Sequence, residues 1–136
     1  MQRLAENVLF KRTVDPASRS AGAVNGEGFD SKGYDGVCAI VDVGAIAGST
    51  TLDVKLQDSD DNTTFADITG ASITQLAAQS TEQPTIDVRL GGPANKARYI
   101  RAVLTVGGAS TAVAGVTLAF YHGNGPVTNN PASVLV

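Results

Sequence analysis

A stretch in which apolar residues recur with a period of two, residues 34–67, places the strongest constraint on how this chain can fold. Apolar side chains occupy every second position of two segments that flank a small, glycine-containing loop at residues 44–50. These positions are Val37, Ala39, Val41 and Val43 in the first segment and Leu52, Val54 and Leu56 in the second. Successive side chains of a β-strand point to opposite faces, so each segment offers one apolar face to a core. The stretch therefore predicts a β-hairpin.

The same alternation recurs along the chain in short segments that are separated by turn-forming residues. Further strands are predicted at residues 23–29, 63–68, 72–76, 85–90, 98–106 and 112–121. Residues 107–110 would join the last two as a second hairpin. Short strands at such spacing, without a convincing helix, predict an all-β protein, namely a single jelly-roll-like β-sandwich of about seven or eight strands. Val54 and Leu104 are predicted to be buried, because each lies at mid-strand on an apolar face.

The 136 residues predict one compact body between two extended arms. Residues 1–22 are predicted to be an N-terminal arm, although Leu4 and Val8 are also spaced like one face of a helix, and the apolar positions from Val8 to Val14 alternate like a strand. Residues 23–122 are predicted to form the sandwich. Residues 123–136 are predicted to be a C-terminal arm, because they are uncharged and contain two prolines, which cannot donate to a sheet ladder.

Charge and cysteine content argue against several classes of partner. The formal net charge is −3 and the basic residues are scattered, whereas nucleic acid and anionic membranes are bound by clustered Lys and Arg. No apolar run approaches the length of a membrane span, and no signal peptide is expected, so the chain is expected to be intracellular when made. The single Cys38 excludes an internal disulfide framework and is expected to be a small core residue.

No catalytic, cofactor-binding or metal site is predicted, and the chain is not expected to be an enzyme. The acidic segment 58–62 resembles the start of a calcium loop, but Thr63 stands where an EF-hand needs Gly and Thr69 stands where it needs Glu. A polar turn is the favoured interpretation. His122 is the only histidine and no nucleophile elbow accompanies it. The glycine-rich segment 26–36 lacks the order of a phosphate-binding loop and is expected to be a turn.

The order of several segments resembles that of small structural proteins of tailed bacteriophages. The segments are Gly33-Tyr34-Asp35 before a Val-rich strand, then Leu56-Gln57-Asp58-Ser59-Asp60-Asp61 with Phe65 after it, and later Arg98-Tyr99-Ile100-Arg101-Ala102. The resemblance covers residues 23–121. It implies a virion structural protein, namely a capsid decoration (cement) protein that binds the major capsid protein on the capsid surface, after synthesis in the host cytoplasm. A head-fibre base or a tail structural protein is the alternative within the same resemblance.

Self-association as a homotrimer is expected to accompany this role, through apolar arm and loop residues. The candidate contact residues are Val134, Leu135, Val136, Ile46 and Phe10. An exposed apolar segment usually marks a contact site. A carbohydrate-binding β-sandwich is the alternative from another class, and it would have to use Tyr34 or Tyr121 as an aromatic platform, since the chain has no Trp.

Overall fold

The computed structural model describes residues 3–78, 83–90 and 97–121. One short helix, α1 (Leu4–Asn7), precedes ten strands. The strands are β1 (Val8–Arg19), β2 (Gly22–Asn25), β3 (Phe29–Asp30), β4 (Gly36–Ile46), β5 (Thr51–Ser59), β6 (Ala66–Ser72), β7 (Leu76–Ala77), β8 (Thr85–Arg89), β9 (Tyr99–Gly107) and β10 (Ala112–Tyr121). The predicted all-β class is confirmed.

Two antiparallel sheets form the β-sandwich. The four-stranded sheet has the order β1-β10-β4-β8. The six-stranded sheet has the order β2-β9-β5-β6, and the short strands β3 and β7 pair with β9 and β5. Each sheet turns its apolar positions toward the other, so one continuous core lies between them.

The core is built from the alternating positions that the sequence marks as apolar. Val54 is 1% exposed and Leu104 is 0% exposed, which confirms both predictions of burial. Phe120 is the largest fully buried side chain, and the ring of Tyr34 packs against it at 5.5 Å between centroids. The core is otherwise dominated by Val, Ile, Leu and Ala, whose shapes suit packing between sheets.

Both predicted hairpins are wrong, because the strands of each pair lie in opposite sheets. β4 belongs to the four-stranded sheet and β5 to the six-stranded sheet, and β9 and β10 are divided in the same way. Residues 47–50 and 108–111 therefore cross from one sheet to the other. The two crossings lie side by side, since the Ala47 backbone N–H donates to the Thr111 carbonyl at 3.0 Å. Alternation shows that a strand has one buried face, but it does not show whether the next strand pairs beside it or packs across the core.

The predicted N-terminal arm is largely a strand of the body. β1 pairs with β10 from Val8↔Tyr121 to Arg19↔Ala112, with register shifts on either side of Val14. Val14 itself is buried in the core. Pro16 is accommodated because β1 is an edge strand and the second shift falls at this point. The predicted C-terminal arm, residues 123–136, lies outside the described residues.

Candidate interaction surface

The outer face of the four-stranded sheet carries little charge along its two central strands. The register of β10 against β4 pairs Ala119 with Cys38 and Thr117 with Ile40 on this side of the sheet. Cys38, Ile40 and Thr117 are half-buried although nothing in the described structure packs over the sheet as a second layer. Val113, farther along β10, is 38% exposed. We call this surface the apolar face.

The outer face of the six-stranded sheet is different, because its polar side chains bond one another. Lys55 Nζ lies 2.7 Å from Asp67 Oδ2, and the Gln57 amide donates to the other oxygen of Asp67 at 2.7 Å. Gln57 also accepts two hydrogen bonds from the Arg101 guanidinium, at 2.9 and 2.7 Å. Arg101 in turn lies over the ring of Phe65, 3.9 Å from its centroid. Desolvation lowers the pKa of Arg101, and the Lys55 ammonium holds the pKa of Asp67 below its usual range. We call this surface the polar face.

A tyrosine lies across the apolar face near one end. Tyr121 on β10 stands opposite Gly36 on β4, and a Cβ at Gly36 would come within 2.2 Å of the Tyr121 ring. Because position 36 has no side chain, the ring crosses β4 and its hydroxyl donates to Asp87 Oδ1 on β8 at 2.5 Å. Glycine is thus required here for close approach. The contact ties three strands of the sheet together on their outer side.

The Tyr121 hydroxyl is expected to ionise at an unusually high pH. The hydrogen bond to the Asp87 carboxylate, aided by burial, raises the pKa of Tyr121 to about 12. The stability that this bond contributes should be complete below pH 10, the usual tyrosine pKa, and should be lost as the pH rises through about 12. Ultraviolet absorbance titration of the folded protein should show a tyrosine that ionises with a midpoint at about 12. Asp87→Asn should move that midpoint down toward 10, and a midpoint unchanged by Asp87→Asn would contradict this assignment.

Cys38 lies on the apolar face and not in the core, which corrects the prediction for this residue. Its thiol is partly exposed. Burial, together with the nearby Asp87 carboxylate, raises the pKa of Cys38. A raised thiol pKa lowers the thiolate fraction, so this cysteine is expected to react slowly at neutral pH.

The acidic turn after β5 is a self-contained polar turn, as the sequence predicts. Asp61 Oδ1 accepts hydrogen bonds from the backbone N–H groups of Thr63 and Thr64, at 2.8 and 2.7 Å, and from the Ser59 hydroxyl at 2.8 Å. The N–H of Thr64 is the largest of the causes that lower the pKa of Asp61. Asn62 adopts a φ of 58°, a conformation that Asn tolerates better than most residues. The carboxylate is therefore used to close the turn.

A second polar cluster closes the same end of the sandwich. Arg98 binds Asp30 through two hydrogen bonds, at 2.9 and 2.5 Å, and this guanidinium lowers the pKa of Asp30. The Ser31 hydroxyl donates to the Arg98 carbonyl at 2.6 Å, and Asp58 accepts from the Ala97 N–H at 2.9 Å. These contacts hold the segment before β9 against β3 and the end of β5. Within residues 3–78, 83–90 and 97–121, no three His, Cys, Asp or Glu side chains are grouped as a metal site.

Two of the predicted contact residues, Ile46 and Phe10, lie in the described part of the chain. Ile46 is 8% exposed and belongs to the core, so it is not available to a partner. Phe10 is half-buried and stands opposite Ala119 on the apolar face. Val134, Leu135, Val136 and His122 lie outside the described residues. Tyr34 is half-buried with its ring against that of Phe120, and burial raises the pKa of Tyr34. The apolar face itself was missed, although Cys38, Ile40 and Thr117 are uncharged at its strand positions.

The fold and its two unlike outer faces define an all-β sandwich, with bonded polar side chains on one outer face and little charge along the central strands of the other. The chain belongs to the Bbp16 family, whose model matches residues 10–120. That match runs from β1 to the end of β10. No curated protein matches the chain. In the part of the chain that the structure describes, no helix is long and apolar enough to cross a membrane.

Among solved structures, one similar chain comes from work described as "Bacillus endospore appendages form a novel family of disulfide-linked pili". It is 9% identical, the alignment covers 85% of this chain and 88% of that chain, and the TM-score is 0.47. Similarity at this level does not establish a shared function.

These comparisons correct the predicted function. The matched family is described only as Bbp16, and this description names no capsid, phage head or decoration protein. The prediction of a capsid decoration protein, with the head-fibre or tail alternative, is therefore replaced by membership of the Bbp16 family. The predicted major capsid protein partner, the homotrimer and the location on a virion capsid are withdrawn with it.

Proposed function

We propose that this chain is a non-enzymatic structural subunit that assembles with copies of itself through the apolar face. The observation that carries the proposal is the contrast between the two outer faces of one sandwich. On the polar face, Lys55, Asp67, Gln57 and Arg101 bond one another and face water. On the apolar face, the central strands present the half-buried Thr117, Cys38 and Ile40 beside the buried Ala119. Depletion of charge at the centre of a patch is characteristic of protein interfaces.

The size of the apolar face is adequate for a modest interface. Three strands of about ten residues and the five-residue β8, spaced by about 4.8 Å, cover roughly 550 Å². Two such faces in contact would bury about 1,100 Å², slightly more than the roughly 1,000 Å² that a biological interface should exceed.

The charges around the apolar face favour a second copy over a strongly charged partner. Arg12 lies at the β1 side, Arg89 and Asp87 lie on β8, and Asp42 lies on β4. Both signs are therefore present on one surface. A face of mixed sign is suited to pack on an identical face, whereas a partner of one dominant charge would meet repulsion at half of these positions.

A matched pair of lysine substitutions tests the proposal. In Ile40→Lys a charge enters the centre of the apolar face, whereas in Thr105→Lys the same charge enters the polar face opposite Asp53. Analytical ultracentrifugation should show the wild-type mass rising with concentration. Ile40→Lys should stay near the single-chain mass of 13.9 kDa, and Thr105→Lys should behave as the wild type. Thermal melts of both variants check that each is folded.

Two results of these measurements would contradict the proposal. A wild-type protein that remains a single chain up to about 1 mM would contradict self-assembly. Its dissociation constant would then exceed about 1 mM, which corresponds to a binding free energy of less than about 4 kcal/mol. Equal loss of association in the two variants would show that the apolar face is not the contact.

We also infer that the sandwich is a jelly roll. The supporting observation is that the long strands pair from the outside of the sequence inward, β1 with β10, β2 with β9, β4 with β8 and β5 with β6. Folding one long antiparallel ribbon into two sheets produces this pairing. Nuclear Overhauser contacts between β1 and β10 in solution would test the outermost pair.

A further inference from the structure

We propose that two copies pack apolar face to apolar face about a twofold axis, with Arg12 of each copy opposite Asp87 of the other. This inference rests on the proposed self-assembly and specifies its geometry. It follows from where the cross-strand register places charge on the face.

The register fixes two neighbouring rows of outward-facing positions across the four-stranded sheet. In strand order β1, β10, β4, β8, one row is Phe10, Ala119, Cys38 and Asp87, and the next is Arg12, Thr117, Ile40 and Thr85. Arg12 therefore stands at one corner of this block, and Asp87 stands at the diagonally opposite corner. The four positions between them are uncharged.

A twofold axis exchanges these two corners when it lies in the interface plane and crosses the diagonal at right angles at its centre. Each Arg12 then meets the carboxylate of Asp87 from the other copy, and the symmetry repeats the pair. The uncharged centre packs against itself between the two ion pairs. The interface is therefore self-complementary, because the same ion pair forms twice.

The side chains of Arg12 and Asp87 can each form further hydrogen bonds with another protein copy. The Arg12 side chain is 63% exposed and lies 2.6 Å from Asp15, which engages only part of a guanidinium with five N–H donors. Asp87 accepts the Tyr121 hydroxyl, and its carboxylate can accept further hydrogen bonds. Arginine and carboxylate are well matched because two parallel hydrogen bonds can form between them.

Charge reversal tests the pairing directly. Arg12→Asp and Asp87→Arg should each weaken self-association on the order of tenfold, because like charges would then face each other twice. The variant with both substitutions should recover to within about threefold of the wild type, since the pair is re-formed with its signs exchanged. Sedimentation equilibrium gives the three association constants and the wild-type value.

Net charge provides a discriminating check. Asp87→Arg brings the net charge of −3 closer to zero, so general repulsion between copies would strengthen association, whereas the proposed pairing predicts that it weakens. Lys55→Asp reverses a charge on the polar face and should leave association unchanged. Tyr121→Phe removes the hydroxyl bond to Asp87 but keeps its charge, and should also associate like the wild type.

A measurement on the unmodified chain guards against misfolded variants. Cys38 lies at the centre of the block and is the only cysteine, so its rate of reaction with a thiol reagent should fall as the protein is concentrated and the face is covered. In one contrary outcome the wild type associates while the variant with both Arg12→Asp and Asp87→Arg still associates weakly, and in another it associates while Cys38 reacts equally fast at every protein concentration. Either result would overturn the pairing of Arg12 with Asp87 but would leave the proposed self-assembly intact. Wild type that does not associate would overturn the proposed function itself.

Discussion

Replacing Phe120 with alanine is expected to lower the free energy of unfolding by about 3–5 kcal/mol. Phe120 is fully buried on β10, between Leu9 of β1 and Val37 of β4, and its ring contacts that of Tyr34. Removal of the ring loses its transfer free energy and leaves a cavity that strands fixed on both sides cannot close. Since a domain of this size has a total stability of about 5–15 kcal/mol, the loss is a large fraction of the whole.

Urea denaturation followed by circular dichroism measures the effect. Phe120→Leu is the matched control, because it keeps most of the apolar volume and should cost clearly less than the alanine variant. An alanine variant within about 1 kcal/mol of the wild type would mean that the core relaxes around this position, contrary to the close packing of sheet interiors.

The second large effect is expected at Thr13, where a buried hydroxyl joins the two sheets. Thr13 is 5% exposed. Its hydroxyl donates to the Glu27 carbonyl at 2.8 Å and accepts from the Ala102 N–H of β9 at 3.2 Å, although Thr13 itself belongs to β1. Thr13→Val keeps the shape and removes the hydroxyl. Each buried group left without its partner costs about 1–3 kcal/mol, so the variant should be strongly destabilised.

Thr13→Ser provides the control for this prediction, because it keeps the hydroxyl and loses one methyl group. The serine variant should lie much closer to the wild type in urea denaturation. Gly26 belongs to the same contact, since a Cβ there would come within 2.3 Å of the Thr13 hydroxyl and 2.7 Å of the Ala102 carbonyl. Equal destabilisation by valine and serine would show that packing, and not the hydroxyl, joins the sheets.

The sequence was sufficient to predict the buried face of most strands. Side chains in a strand alternate between two faces, so Val54 and Leu104 could be placed in the core from their spacing alone. The polar turn at Asp61 could also be predicted, because short acidic side chains bond nearby backbone N–H groups regardless of the rest of the fold.

The pairing between strands could not be predicted in the same way, because it depends on contacts between residues that are distant in sequence. The loop at 47–50 contains the small residues of a hairpin turn, yet it crosses between sheets. In the same way, Pro16 and the small residues Ser18, Ser20 and Gly22 after it favoured an arm, whereas the long-range partner β10 makes Val8–Arg19 a strand. The apolar face was missed for a related reason, since it consists of residues from four strands that only the register brings together.

The edge position of β1 affects the order in which the protein can form during synthesis. Its neighbour in the sheet is β10, the last described strand, so the segment Val8–Arg19 leaves the ribosome long before its partner exists. The four-stranded sheet therefore cannot close until β10 has left the ribosome. Folds dominated by such non-local pairing typically fold in milliseconds to seconds. During that interval the unpaired backbone of β1 and the exposed side chains of the nascent core are open to aggregation or to a chaperone.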